Sequence, residues 1–355
     1  MFKNRLQIAA ALSVFAVSAC AQIGTTHAPI VPSTPAQVAA AAEAPAGWRP
    51  FSADSPWNTK IAADAMFDPG SPELIAAATA SNALYINIPE WTVATYYIDS
   101  ATTPKRPFFP YFYGVYGRGF APGSAIPAPD FAKPSGPDGG TEFLSMIDPK
   151  AGKAWEMRQP SFNAEDENWR ASFGAEVDLT GTGVPTPWMQ AAQSDAHTVR
   201  PSGIPLTAGL IRLDEIKAGR IDHALAFAYP APRTGQFVSP AADALPASDT
   251  RPANHFGLPL GARIQLDPNY DIENTRLSPT GKVIARALQE YGAILVDDAG
   301  AITLFAEGSP TQVDAWRGVL SPTELQLLFT PDMMATNFRV IDTGEPMAGR
   351  PRPLR

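Results

Sequence analysis

The chain has 355 residues and a formal net charge of -8 at neutral pH, with an isoelectric point near 5.1. This acidic balance argues against a nucleic-acid or general polyanion surface, although a local basic groove is compatible with it. Its single cysteine, Cys20, excludes an internal disulfide and a cysteine-ligated metal. The core alone must therefore stabilise the folded part.

The first residues have the order of a bacterial export signal. Basic residues precede an apolar run at 6–17, and the small residues Ser18 and Ala19 stand before Cys20. This arrangement resembles a lipobox, which implies cleavage before Cys20 and lipid attachment to that residue. Ala21 at the next position resembles the signal for retention in the outer membrane. An ordinary signal peptide or a short membrane anchor is the alternative, but the run is shorter than the ~20 residues that span a bilayer.

The sequence divides into three predicted segments. Residues 1–19 are a lipoprotein signal peptide, residues 20–49 a tether, and residues 50–355 a single globular domain. The tether consists mainly of alanine, proline, threonine and serine, and it has too few large apolar side chains to form a core. No shift in composition marks a second boundary, so we expect one folded unit.

Serine-proline pairs predict helix starts in the globular part. A serine oxygen can accept from unpaired N–H groups, and proline at the first helical position lacks a donor that is not needed there. The four pairs are Ser71-Pro72, Ser278-Pro279, Ser309-Pro310 and Ser321-Pro322. The clearest helix spans 279–291, with apolar residues on one stripe and Gly292 as its end. Another short helix is predicted at 213–218.

Strand signals lie between these helices. The segments 142–159 and 291–308 each carry two apolar runs around a turn that contains Asp and Gly, which predicts two hairpins. Residues 221–229 alternate large and small side chains, as a strand does. We therefore expect a mainly β protein, an antiparallel β-sandwich or sheet with several short peripheral helices, with α+β as the alternative. No glycine-rich phosphate loop or G-x-S-x-G motif follows a predicted strand, so no cofactor is expected.

Several stretches together resemble a widespread group of secreted bacterial proteins. They are FSADSPWNTKI at 51–61, WEM at 155–157, SGIPLTAGLIRLDEIKAGRIDHALAFA at 202–228, LPLGARIQLDPNYDI at 258–272 and ALQEYGAILVDDAG at 287–300. The resemblance implies an exported protein with one domain, and it implies no particular activity. The chain departs from the group after the His-Ala strand, where members often read WPARH and this sequence has SPAAD at 239–243.

His223 is the strongest candidate for a catalytic residue. It is predicted to lie on the large-residue face of the 221–229 strand, where loss of solvent would lower its pKa and leave a neutral imidazole able to take a proton. The alternative is a buried structural histidine, hydrogen-bonded to a backbone carbonyl or to Asp214 or Glu215. The two interpretations differ in whether a ring nitrogen faces an open cleft.

A lyase would need two further groups beside His223. An arginine such as Arg118, Arg212 or Arg220 would neutralise a uronate carboxylate while His223 removes the adjacent proton. Tyr229 ends the same predicted strand on the same face, so we include it with His223 and Arg212 in the predicted catalytic set.

Paired carboxylates offer a second route to catalysis. Glu156 lies on the predicted strand of the first hairpin, and Glu176 and Asp178 share a face of another strand. Two carboxylates roughly 5 to 9 Å apart across a groove are what glycoside hydrolysis requires. Glu156 therefore joins the predicted catalytic set, and exposed acidic residues on the wet face of a sheet are the alternative.

The segment 106–120, RPFFPYFYGVYGRGF, has seven aromatic residues in fifteen positions. Flat rings on a glycine-punctuated backbone can stack against sugar rings, and an arginine can meet a carboxylate. A core strand with packed rings is the alternative, but its prolines and glycines make this a poor central strand. The predicted ligand-binding residues are Tyr111, Tyr113, Tyr116, Arg118 and Trp91.

No metal site is expected. His197, His223 and His255 follow no zinc-ligand spacing. The segment 267–273 is similar to the first half of an EF-hand loop, but Ile272 stands where that loop requires glycine.

The leading hypothesis is an exported, lipid-anchored protein of the outer membrane that acts on a glycan as a polysaccharide lyase or glycoside hydrolase. The alternative is a non-catalytic glycan-binding or cell-envelope structural lipoprotein. Both versions take a glycan as the partner, contact the membrane through the lipid anchor only, and bind no nucleic acid.

Replacing the lipid-accepting residue tests the predicted anchor. We expect Cys20→Ala to leave the protein without lipid and absent from the membrane fraction, because no thiol remains to be modified. Metabolic labelling with a fatty-acid analogue and fractionation measure both effects. Unchanged membrane association would contradict the lipobox interpretation.

Overall fold

The computed structural model describes residues 44–79, 84–85, 92–114, 119–136, 142–190, 198–248, 253–308, 313–320 and 324–351. Within these ranges, no helix has the length and apolar character needed to cross a membrane. Several residues singled out from the sequence lie outside them, namely Cys20, Trp91, Tyr116, Arg118 and His197. The predicted helix starts Ser309-Pro310 and Ser321-Pro322 also lie outside the described residues.

The described part of the chain contains short helices and many short strands. The α-helices are α1 (Ser71–Thr79), α2 (Leu213–Ala218), α3 (Pro279–Glu290) and α4 (Pro331–Asn337), and Val313–Trp316 and Glu324–Leu328 are 3-10 turns. The strands are β1 (Leu84–Tyr85), β2 (Val93–Tyr97), β3 (Lys105–Pro110), β4 (Ser124–Pro127), β5 (Phe143–Asp148), β6 (Lys153–Arg158), β7 (Ser161–Asn163), β8 (Asn168–Ala171), β9 (Phe173–Asp178), β10 (Leu225–Tyr229), β11 (Gln236–Phe237), β12 (Arg263–Leu266), β13 (Ala293–Asp298), β14 (Ile302–Leu304), β15 (Glu307–Gly308), β16 (Phe338–Ile341) and β17 (Met347–Ala348). The prediction of a mainly β protein with short helices is confirmed.

Of the predicted serine caps, Ser278 is confirmed and Ser71 is wrong, because Ser71 is the first residue of α1 and its hydroxyl instead accepts from the Val340 N–H at 2.8 Å. Ser278 caps α3, and its hydroxyl accepts from the Gly281 N–H at 3.2 Å. Gly292 follows this helix with a φ of 68°, and Gly219 ends α2 with a φ of 75°. Both glycines take the left-handed backbone that a helix end favours and that a side chain would strain.

The strands form a six-stranded, a five-stranded, a four-stranded and a two-stranded sheet. The six-stranded sheet has the order β1-β14-β10-β13-β12-β16, and the five-stranded sheet has the order β15-β2-β5-β6-β9. The four-stranded sheet has the order β4-β3-β8-β7. Parallel and antiparallel pairs are mixed: β2 runs parallel to β5, whereas β5 runs antiparallel to β6.

The first predicted hairpin is confirmed, and the second is wrong. Strands β5 and β6 pair directly, with Phe143 opposite Arg158 and Asp148 opposite Lys153. Between β13 and β14, however, lies β10, which is parallel to β13 and antiparallel to β14. Every residue of β10 is buried, so both of its faces need cover. A strand that is apolar on both faces is most stable at the centre of a sheet, and β10 takes that place.

The five-stranded sheet is the middle layer of the fold. The side chains on one of its faces belong to the large core shared with the six-stranded sheet, and they include Val93, Tyr97, Phe143, Ile147 and Ala154. The side chains on its other face pack against the four-stranded sheet, and they include Ala94, Tyr96, Leu144, Met146 and Met157. Because the middle sheet is covered on both sides, its polar side chains have to find partners inside the protein.

Candidate functional site

His223 lies in a bend two residues before β10, and it is only 4% exposed. The prediction that it lies on the strand is wrong, because the ladder begins at Leu225. Its Nδ1 is 2.8 Å from the Ala224 carbonyl oxygen, and its Nε2 is 3.0 Å from Glu215 Oε2. Both ring nitrogens are therefore engaged by oxygen atoms of the protein.

The Glu215 carboxylate contacts both Arg212 and His223. Burial would raise its pKa, but the charge and hydrogen bond of His223 and the charge of Arg212 together lower it. Its Oε1 is 3.0 Å from Arg212 Nη2, while Oε2 faces the histidine. The structure thus brings together two predicted catalytic residues, His223 and Arg212, around a carboxylate that the sequence indicated only as a structural partner.

Arg212 is engaged by protein groups through its Nε and Nη2 atoms. Its Nη2 also donates to the Trp48 carbonyl at 2.7 Å, and its Nε donates to Asp214 Oδ1 at 3.1 Å. The guanidinium lies over the Trp48 ring at 5.5 Å from the ring centre. A cation that is paired, stacked and 5% exposed is suited to hold protein groups in place.

Glu307 completes this buried charge cluster, defined as Arg212, Glu215, His223 and Glu307. The Tyr97 hydroxyl donates to Glu307 Oε2 at 2.7 Å, and the Leu213 N–H donates to its Oε1 at 2.8 Å. Burial raises the pKa of Glu307 to about 7, against the opposing effect of these hydrogen bonds and of Arg212. Glu307 was not among the predicted site residues, since nothing in the chain around it marks a buried acid.

Glu156 lies elsewhere, on the face of β6 that points to the large core, and it is fully buried. Its carboxylate accepts from the Leu206 N–H at 2.8 Å and from the N–H and hydroxyl of Thr207, both at 2.9 Å. Burial raises its pKa more than these three hydrogen bonds lower it. The geometry therefore gives Glu156 a clear structural task, which is to hold the loop at 205–208 against the middle sheet.

The predicted carboxylate pair does not form across one face. Glu176 lies opposite Trp155 in the ladder, and directly opposed residues share a face of a sheet. Glu156 is the next residue after Trp155, so it points to the other side. Glu176 instead makes an exposed ion pair with Lys153 at 2.6 Å.

Tyr229 lies on β10 and is fully buried. Its hydroxyl oxygen accepts from the Leu258 N–H at 2.6 Å, and burial raises its pKa well above the ordinary value. This contact fixes the loop before β12 to the centre of the six-stranded sheet. Tyr229 and His223 share no hydrogen-bond partner among the contacts of the described residues.

A cleft of about 160 Å³ opens at the end of β6. We call it the arginine cleft because it is lined by three arginines, with Asp243 as the one carboxylate among the described lining residues. Hydroxyl and amide groups complete its polar wall. The lining residues used below are Arg158, Gln159, Ser172, Thr198, Arg200, Asp243 and Arg350.

Arg200 forms the inner wall of the arginine cleft and is 1% exposed. Its Nη1 donates to the Pro205 carbonyl at 3.1 Å, and its guanidinium lies 4.4 Å from the centre of the Phe305 ring. Its Nε and Nη2 have no hydrogen-bond partner among the described residues. Burial lowers its pKa to about 10, although Asp297 and Glu156 oppose this shift. This guanidinium is the least satisfied buried charge that the structure describes.

Asp297 lies behind this wall at the end of β13. Burial and the neighbouring charge of Asp298 raise the pKa of Asp297 to about 7, while Arg200 and Arg158 lower it. Neither Asp297 nor Arg200 was a candidate from the sequence, because no local motif marks either residue as part of a site. Only the packing of β6, β13 and the 198–205 loop brings these charges together.

The aromatic surface consists of Phe109, Tyr111, Phe112 and Tyr113. These four side chains are between 39% and 53% exposed. The Tyr111 hydroxyl is 2.8 Å from Ser161 Oγ. Two of the predicted ligand-binding residues, Tyr111 and Tyr113, thus lie on an accessible face, whereas Tyr116, Arg118 and Trp91 lie outside the described residues.

The aromatic surface and the arginine cleft are joined by one short stretch of chain. The Tyr111 N–H donates to the Ala171 carbonyl at 2.8 Å, and the next residue, Ser172, lines the cleft. Arg106, at the start of the aromatic segment, is held by Asp130 through two hydrogen bonds of 2.8 and 2.6 Å. The arginines that can meet a ligand are therefore those of the cleft. Arg106 is instead occupied by Asp130.

Comparisons with protein-family models, with curated proteins and with solved structures found no significant match.

We predict that His223→Ala destabilises the protein by about 1–3 kcal/mol, because it removes one of the two side chains that pair with the buried Glu215 carboxylate. Urea denaturation measures the change. The matched control is His255→Ala, which removes an exposed histidine and should change the free energy of unfolding by less than about 0.5 kcal/mol. Equal effects for the two variants would show that the Glu215 contact contributes nothing.

Stability should fall as the pH rises from about 4 to about 7. The folded-state pKa of Asp297, about 7, lies above its unfolded value of 3.8, and that of Glu307 is raised in the same direction. At a pH between the unfolded-state and folded-state pKa values, the native state binds more protons than the unfolded state, so raising the pH favours unfolding.

Asp297→Asn should remove part of the stability loss that accompanies the rise in pH. We expect this variant to be more stable than the parent at pH 8 by an amount on the order of 2–4 kcal/mol, and little changed at pH 4. Thermal melts across this range test it, with the exposed Asp54→Asn as control. A variant whose stability runs parallel to the parent at every pH would contradict the assignment.

Proposed function

We propose that this chain is an exported, lipid-anchored protein of the outer membrane that binds a glycan on its aromatic surface. The observation that carries the proposal is the exposure of four aromatic side chains within residues 109–113. Nine large apolar residues are exposed among the described residues, and these four are neighbours in a single stretch. Scattered exposed apolar residues need no explanation, but a concentrated group of them is typical of a binding surface.

The type of side chain favours a glycan over an apolar ligand. A tyrosine ring offers a flat apolar face together with a hydroxyl, which suits the alternating C–H and O–H groups of a sugar ring. The surface is a short turn at the end of β3, anchored through the Tyr111 N–H to β8. Aromatic rings on an anchored backbone lose little entropy when a ligand binds.

The same geometry favours binding over turnover. A lyase or a hydrolase needs an acid or base that reaches the substrate. His223, Glu156 and Tyr229 are buried, and each is hydrogen-bonded to a backbone group of the protein. We therefore give the non-catalytic glycan-binding function precedence over the lyase and hydrolase hypotheses.

Substitution on the aromatic surface tests the proposal. We expect Tyr111→Ala and Tyr113→Ala each to weaken binding to the preferred polysaccharide of a panel by roughly tenfold, because each removes a stacking face. Phe256→Ala is the matched control, since Phe256 is 83% exposed and lies outside the aromatic surface. Affinity gels and calorimetry measure binding.

Two outcomes would overturn the proposal. One is the absence of binding to every neutral and acidic polysaccharide in the panel. The other is an equal loss of affinity in Phe256→Ala and in the two tyrosine variants, which would show that the aromatic surface has no special part in binding.

A further inference from the structure

We propose that the arginine cleft is a carboxylate-binding site, and that the bound glycan is an acidic one whose carboxylate enters this cleft. The second half of the statement rests on the proposed function. The first half stands on the cleft alone, because its charge, its unsatisfied donors and its size are independent of the aromatic surface.

The charge of the cleft is opposite to that of the protein. The chain has a net charge of -8, yet the described residues that line the cleft include three arginines and one carboxylate, that of Asp243. That carboxylate is already engaged, since its Oδ1 accepts from the N–H groups of Ala244 and Arg350, both at 2.8 Å. An acidic protein that concentrates positive charge in one concave site creates a local attraction for anions.

Arg200 supplies the strongest reason for an anion. Its Nε and Nη2 lie on one edge of the planar guanidinium, the edge that can bind a carboxylate through two parallel hydrogen bonds. A buried donor without a partner costs free energy, and a buried charge without a close counter-charge costs more. The lowered pKa of Arg200 has the same physical origin. An anion in the cleft would offset this cost.

Arg158 and Arg350 stand nearer the solvent. Arg158 is half-buried and makes no ion pair within 4 Å with another described residue. Arg350 Nε is 3.7 Å from Asp243 Oδ2, and its side chain is 31% exposed. These two cations can receive a carboxylate at the mouth of the cleft, above the buried charge of Arg200.

The size of the cleft limits the ligand. Its volume of about 160 Å³ is close to that of an apolar cavity that holds one benzene ring, roughly 150 Å³. The cleft is therefore of a size to receive the carboxylate end of one sugar unit, with the rest of the ligand outside it. Ser172, which lines the cleft, follows Ala171, to which Tyr111 is bonded, so a chain of sugars can extend from the cleft toward the aromatic surface.

The experiment compares acidic ligands with uncharged ones. Calorimetry measures binding of the whole exported chain to free glucuronate and to a panel of uronate polysaccharides, each beside a counterpart whose carboxylates are reduced to alcohols. We expect the acidic ligands to bind at least tenfold more tightly. Arg158→Gln and Arg200→Gln should each remove roughly tenfold or more of that preference. Arg276→Gln, an exposed arginine outside the cleft, should remove none.

Arg158→Gln keeps the test independent of folding, because the half-exposed side chain can be changed without opening the core. Tyr111→Ala separates the two proposals. If polysaccharides bind through Tyr111 but reduced and acidic forms bind equally, the cleft proposal falls and the proposed function stands. If no polysaccharide binds and free glucuronate still needs Arg158, the proposed function falls and the carboxylate site stands. Binding of sulfate or phosphate in preference to every carboxylate would overturn the ligand class.

Discussion

The middle sheet, buried on both faces, is the constraint on which the rest of the structure depends. The interior of β6, residues 154–157, is buried on both faces, so Glu156 has to be satisfied by protein groups, and it accepts from the N–H groups of Leu206 and Thr207. This contact fixes the loop that follows Arg200. The position of Arg200, whose Nη1 donates to the Pro205 carbonyl in the same loop, thus depends on a carboxylate that first suggested catalysis.

The buried charges are of two kinds. Those of the buried charge cluster are paired with one another and stabilise the fold, whereas Arg200 has donors left for a ligand. In the buried charge cluster, Glu215 is matched by Arg212 and His223, and Glu307 by Tyr97 and a backbone N–H. Arg200 differs, since its nearest carboxylates act only at longer range and one edge of its guanidinium has no partner among the described residues. A group left unsatisfied next to a concave opening is the more informative sign of function.

Local signals and tertiary packing account for different parts of the fold. The helix at 279–290 and the hairpin at 143–158 were predictable, because a serine cap, a terminal glycine and a tight turn act within a few residues. The second hairpin was not, because β10 comes from sequence 64 or more positions earlier and displaces β14 from β13. Strand order is decided by which strands must be covered on both faces, and that depends on the whole sheet.

The sequence by itself determined the composition, the acidic charge, the lack of disulfides, the mainly β class and the presence of an aromatic-rich segment with turn residues. It also placed His223 near Glu215, since eight positions separate them in the chain. Only the tertiary structure decided that His223 is paired on both nitrogens and that Arg158, Arg200 and Arg350 share one cleft. These arginines come from a strand, a loop and the C-terminal segment, and no local pattern records which distant charges will meet when the sheets close over them.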